Sequence, residues 1–339
     1  MIDLNTIWFL LVAVLIIGYA ILDGFDLGVG ILHIFTKDET EKRININAIG
    51  PVWDGNEVWL LTGGGALFAA FPVVYATVFS GFYLALMLLL TALILRAVSF
   101  EFRGKVLDDK YKKIWDWSFG FGSLLIALLL NVAFGNILRG IPIDAAGNFT
   151  GSFFGLLNPY AILVGLTGVI LFAMHGAVYM TIKTEGAQLE KMIKWANNSW
   201  IAFVILYLLT TLATFFFAHF LFDGVMSNPL FWVLFILLLV SIFYLPIGLK
   251  SSKFFLSFIA SSVIIASVIG LSAVSLFPRL VPSITDLSYS LTVYNASSSQ
   301  YTLNAMLIIA LIGMPLVIGY TIFIYKVFKG KVVITKESY

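Results

Sequence analysis

Cysteine is absent from this chain. With it go disulfides, thiolate-held zinc and cysteine-ligated iron–sulfur clusters. Histidine is scarce, with three residues in 339, and no two of them have the spacing of a metal-binding pair. Phosphate loops and nucleophile elbows are missing as well. Charge is the largest shortage, at 11% of residues against 60% hydrophobic. The mean hydropathy of +1.01 excludes a soluble domain of this size. The formal net charge of +2 is uninformative, because where the charges lie matters more than their sum. Nothing in it points to a nucleic-acid partner.

What is present is a series of apolar runs, each of about 20 residues or more. They predict an all-α, polytopic membrane protein forming one integral membrane domain over residues 1–339. The nine expected spans are 6–34, 47–71, 73–101, 111–138, 158–182, 195–222, 229–249, 252–277 and 301–327. The N-terminus lacks a basic n-region and a small-residue cleavage site, so the first run is expected to be a retained helix. No internal repeat is visible, and inverted-repeat transporter architecture has no direct support.

Charge placement tests the span count. With nine spans and the N-terminus outside, 18 of the 20 basic residues fall on the cytoplasmic side. Arg96, Arg103 and Lys336 are among them; Arg139 and Arg279 alone lie outside. That bias supports an external N-terminus and a cytoplasmic C-terminus.

Two acidic pairs interrupt the first two runs. Asp23 and Asp26 lie in "AILDGFDLGVG", Asp54 and Glu57 in "PVWDGNEVWLL". Spacing of i, i+3 places each pair on one helix face, about 5 Å apart along the axis. A carboxylate at mid-membrane costs about 2.5–3.5 kcal/mol, so four bare ones cost roughly 10–14 kcal/mol. Intramembrane acids therefore mark proton or cation movement first. The first span runs inward and the second outward, which puts all four acids about 10–16 Å from the cytoplasmic ends. Trp53 and Asn56 flank the second pair and are expected to shape the same path. Gly24, Gly28 and Gly30, and the run Gly63–Gly65, are expected to let helices approach closely.

The histidines are weighed as haem ligands. His33 and His219 fall near the membrane boundaries and are read as interfacial, as is Asp116 in "WDW". His175 lies deep in the fifth span, where hydrogen bonding within a bundle is the expected role. The residues alone leave two classes open. One is a proton-conducting subunit of a larger enzyme; the other is a proton-coupled secondary transporter acting alone.

Several segments then carry a family likeness. "DGFDLGVG", "INAIGPVWDGNEVWLLTGGGALFAAFP", "YATVFSGFYLALMLLL", "FEFRGK" and "NASSSQYTLNAM" resemble subunit II of the cytochrome bd-type quinol oxidases. The resemblance implies two four-helix bundles plus one peripheral helix in a bacterial cytoplasmic membrane. It implies a heterodimer with subunit I, which carries the b- and d-type haems and the quinol site, with no haem on this chain. Small single-span accessory subunits and a bound lipid or structural quinone are further implied partners. The implied reaction is electrogenic reduction of dioxygen to water in aerobic respiration, with protons drawn from the cytoplasm. Asp54 in "WDGN" matches the family acid at a proton entry path, with Trp53 as its neighbour. Val52 stands where some members have histidine, and Glu57 where some have glutamine, so a histidine-assisted path is not available here.

Overall fold

The computed structural model describes residues 3–334. Lys336 and the C-terminus, which the charge partition assigns to the cytoplasm, lie outside the described residues.

Eleven α-helices carry the fold among the described residues. They are α1 (Leu4–His33), α2 (Glu39–Ile49), α3 (Trp53–Ala70), α4 (Pro72–Gly81), α5 (Tyr83–Arg103) and α6 (Asp109–Arg139). There follow α7 (Pro159–Lys183), α8 (Gly186–Phe217), α9 (Pro229–Lys250), α10 (Phe254–Leu276) and α11 (Gln300–Val327). Eight of these are long and apolar enough to cross a membrane. The helix α3 falls short of that standard because Asp54, Asn56 and Glu57 occupy its first turns.

Two expected spans are broken. The second begins at Trp53 rather than 47, and Asn47 belongs to the separate helix α2. Pro51 has no N–H, and its ring clashes with the carbonyl four residues back, so one helix cannot run through it. Val52, at φ −125° and ψ −23°, completes the break. The third span divides at Phe82, φ −98° and ψ 17°. Ser80 and Gly81 precede it, the kind of pair at which helices kink. The sixth span starts earlier than expected, at Gly186, so Lys191 and Lys194 lie on α8.

Helices α1, α3, α5 and α6 pack as one group, and α7–α10 as another, joined through the contacts of α7 with α1 and α6 and of α10 with α1. The helix α7 is the most enclosed span, with 78% of its membrane-length window buried. Its closeness to α1 depends on Gly28 and Gly176. A Cβ on Gly28 would collide with the Phe172 carbonyl, and one on Gly176 with the backbone of Gly28 and Val29. Backbone against backbone is the approach that small residues permit between membrane helices. The helix α11 is peripheral: Leu303 is its only buried residue.

The molecule has two distinct ends. At one lie α2 and most of the lysines. At the other a small antiparallel hairpin, β1 (Arg279–Val281) with β2 (Leu291–Thr292), closes the long connection before α11. There Asn5 donates to Val293 O and Ser297, Gln300 donates to Asn5, and Trp8 Nε1 donates to Leu303 O. These bonds tie the start of α1 to the start of α11.

Candidate functional site: a buried acid cluster between α1, α3, α5 and α11

Asp23 and Asp26 are fully buried. They sit in the second half of α1, toward its His33 end, and α3, α6, α7 and α10 pack around that helix. Asp23 Oδ1 accepts from Arg96 Nη2 at 2.7 Å, and Arg96 is itself fully buried on α5. This corrects the charge partition: Arg96 lies inside the bundle and is not a loop charge. A buried acid requires a countercharge or a proton, and Arg96 supplies the countercharge.

Asp26 Oδ2 accepts from Asn56 Nδ2 at 2.8 Å, and the same amide nitrogen donates to Leu22 O at 3.2 Å. Asn56 Oδ1 accepts from the Tyr325 hydroxyl at 2.9 Å. Asn56 therefore joins three helices. Tyr325, on the peripheral helix, had no signal in the sequence, since one tyrosine among 14 in an apolar run looks like any other.

Several polar atoms here remain unpartnered and buried: Tyr19 Oη, Asp23 Oδ2, Asp26 Oδ1, Arg96 Nε and Arg96 Nη1. Donors and acceptors are mixed among them, which suits bridging water. Buried polar groups left bare are costly, and sites with several polar partners hold ordered water.

The second acidic pair does not share this environment. Asp54 is exposed in the first turn of α3, where free amide ends favour a carboxylate. No described side chain hydrogen-bonds to it. Glu57, one helical turn further along α3, is half-buried. Trp53 stacks on Phe100, centroids 4.7 Å apart and planes 3° apart, with the Arg96 guanidinium 5.9 Å from its ring centroid. The indole thus forms one wall of the Arg96 pocket. Of the glycines on α3, Gly64 and Gly65 meet nothing, and the nearest atom to a Cβ on Gly63 is Leu15 at 3.8 Å. Among the described residues no helix makes the expected close approach at Gly64 or Gly65.

His175 is fully buried with both ring nitrogens engaged. Nε2 lies 3.0 Å from Ile21 O and Nδ1 2.7 Å from Ser261 Oγ. A carbonyl only accepts, so in the neutral ring Nε2 donates and Nδ1 accepts from Ser261. Neither nitrogen is free for an iron, and these residues do not fit a haem. Among the described residues no three His, Asp or Glu side chains gather to hold a metal ion.

At the α2 end, His33 and Asp116 come together. His33 is buried, and its Nε2 meets Asp116 Oδ1 at 2.9 Å. Arg103 Nε donates to the same oxygen, and Lys42 donates to Oδ2 at 2.7 Å. Arg103 also grips Glu39, with both contacts at 3.0 Å. This latch fastens α2 to α1, α5 and α6, and so fixes the loop that starts α3. His219 is exposed near the opposite end.

The comparisons with known proteins are concordant. The family described as Cytochrome bd terminal oxidase subunit II matches residues 4–328. The cytochrome bd-I ubiquinol oxidase subunit 2 of Escherichia coli K12 is 37% identical over 370 aligned residues, spanning 99% of this chain and 96% of that protein. The cytochrome bd ubiquinol oxidase subunit 2 of Bacillus subtilis 168 is 40% identical over 334, spanning 98% of each. A chain from the structure of bd oxidase from Geobacillus thermodenitrificans superposes with a TM-score of 0.80 at 17% identity, covering 96% of this chain and 98% of that one. At that identity the likeness is one of fold.

Proposed function

This chain belongs to the cytochrome bd terminal oxidase subunit II family, and from that premise we propose that it is the haem-free subunit that admits protons at Asp54. It is a multi-pass membrane subunit of a haem-using oxidoreductase and implies a partner, subunit I. On our reading subunit I holds the haems and the quinol site. The observation that carries the proton role is Asp54 itself. It is a carboxylate on the outward face of α3, the face that carries Gly65 about three turns further along, and one helical turn from half-buried Glu57. That face is where a partner helix would cover it, and Glu57 leads inward to the Asp23–Arg96–Asp26 cluster. Trp53 and Asn56 line the way.

The engaged nitrogens of His175 support the haem-free reading. The protein would carry its N-terminus outside and its C-terminus in the cytoplasm, which the positive-inside bias supports. A reporter fused after Tyr339 should then be active in the cytoplasm; activity outside overturns the orientation. Accessory subunits and a bound lipid or quinone belong to the same reading.

Asp54→Asn keeps size and hydrogen bonding but cannot release a proton. In the assembled complex with full haem content, quinol-dependent oxygen uptake should fall about a hundredfold, the lower edge of what proton-transfer groups contribute. Asp54→Glu should keep much of the rate, because it restores a titratable group. A fully active Asn variant with a Glu variant that does not assemble would sink the proton role. The transporter reading requires activity of this chain alone. Oxygen uptake that appears only when a haem-bearing partner co-purifies separates the two.

A further inference from the structure

The helix α11 touches the bundle sparsely, yet its inner half makes one side-chain hydrogen bond to another helix among the described residues. That bond runs from Tyr325 to Asn56. The orientation of Asn56 follows from chemistry. Leu22 O accepts only, so the amide NH2 must face α1, where it also reaches Asp26. The amide oxygen is left facing α11, and only a donating hydroxyl satisfies it there. Tyr325 therefore satisfies, and holds in place, the amide oxygen that the Leu22 carbonyl turns toward α11. The reversed amide would place its oxygen against both Leu22 O and the Asp26 carboxyl.

The tyrosine is itself held. Its ring stands edge-on to Phe25, centroids 6.4 Å apart at 87°, and Phe25 stacks on Tyr179 at 4.0 Å. Just beyond α11, Lys183 Nζ donates to Phe328 O at 2.7 Å, and Lys331 Nζ donates to Thr181 O and Thr184 O. The inner end of a peripheral helix is thus pinned onto α7, and its hydroxyl is aimed at a buried acid site.

We propose that Tyr325 is a positioning residue for the proton path, holding Asn56, and through it Asp26, in the arrangement that transfers protons at the α1–α3 contact. This rests on the proton-path reading above. Two carboxylates and one guanidinium are buried together, so one carboxyl needs a proton to balance the charge. Asp23 is paired with Arg96; Asp26 is the group whose partner is a neutral amide. The charged and titratable groups facing Asp26 are Asp23 on α1, Glu57 on α3, Arg96 on α5, Tyr179 on α7 and Tyr325 on α11.

The test compares Tyr325→Phe with Tyr325→Leu in the purified, haem-replete complex. Turnover is measured across pH, and the carboxyl region of the infrared spectrum is recorded. Phe keeps the ring and removes the hydroxyl. It should slow oxygen uptake about fivefold, the bias one neutral hydrogen bond gives, displace the pH profile and shift a protonated-carboxyl band. Asn56→Ala should displace the profile in the same way, and the double variant should add nothing further. A Phe variant with parental rate, profile and band, beside an impaired Leu variant, reduces Tyr325 to packing and overturns the proposal. Independent, additive effects at 56 and 325 overturn it too, as does failure of the Phe variant to assemble. If Asp54→Asn is fully active while Tyr325→Phe shows the slowed, displaced profile, the entry at Asp54 is wrong and the positioning role stands.

Discussion

Asp23 and Asp26 lie three residues apart on α1, as Asp54 and Glu57 do on α3, and Asn56 touches Asp26 directly. One pair is enclosed and countered by Arg96; the other meets solvent or lipid at Asp54 and is half-covered at Glu57. The difference comes from the helices that carry them. Other helices surround α1, whereas α3 leans mainly on α1 and leaves its Asp54 and Gly65 side bare. Spacing decides which side chains share a face, and packing of the helix decides what that face meets. An enclosed acid must be neutralised within the chain. An acid on an open face remains available to something outside it.

The sharpest way to break this contrast is to remove the countercharge. Arg96→Leu strands Asp23 in the interior, at a cost of about 3–5 kcal/mol for half of a buried pair. Yield and haem content of the purified complex should collapse, and adding Asp23→Asn should recover part of the loss. Parental yield for the single variant would mean that the pair is solvated and the enclosure incomplete. A smaller effect separates the glycines. Gly28→Ala drives a methyl into the Phe172 carbonyl and should lower the thermal midpoint, with overpacking of about 1–3 kcal/mol. Gly64→Ala meets nothing in this chain and should leave the midpoint unchanged. If it weakens retention of the haem-bearing partner on purification, the open face of α3 is the docking face.

Much of this was legible in the sequence. Apolar length located the long helices, and the i, i+3 acids marked the site, because both signals are local. What escaped was set by contacts between distant segments. Arg96 reads as one more basic residue near a span end, and only its partner Asp23, 73 positions away, makes it part of the site. His33 and Asp116 look like two isolated boundary residues until α1 and α6 bring them together. The breaks at Pro51 and at Ser80–Gly81 were present as residues. Hydropathy averages across them, so the expected spans ran through both.

The polarity of α3 also bears on how the chain is made. This helix has 18 residues, with Asp54 and Glu57 near its start. With two acids, an amide and four glycines among its 18 residues, a segment this short and polar is a poor candidate to enter lipid as it leaves the ribosome. Its neighbour α1 is already apolar enough to be in place. The favourable route is for α3 to lie against α1 before it commits to the bilayer, with Asn56 donating to Leu22 O and Asp26 as it settles. The contact that organises the acid site in the finished protein is then also the foothold on which this short polar helix settles.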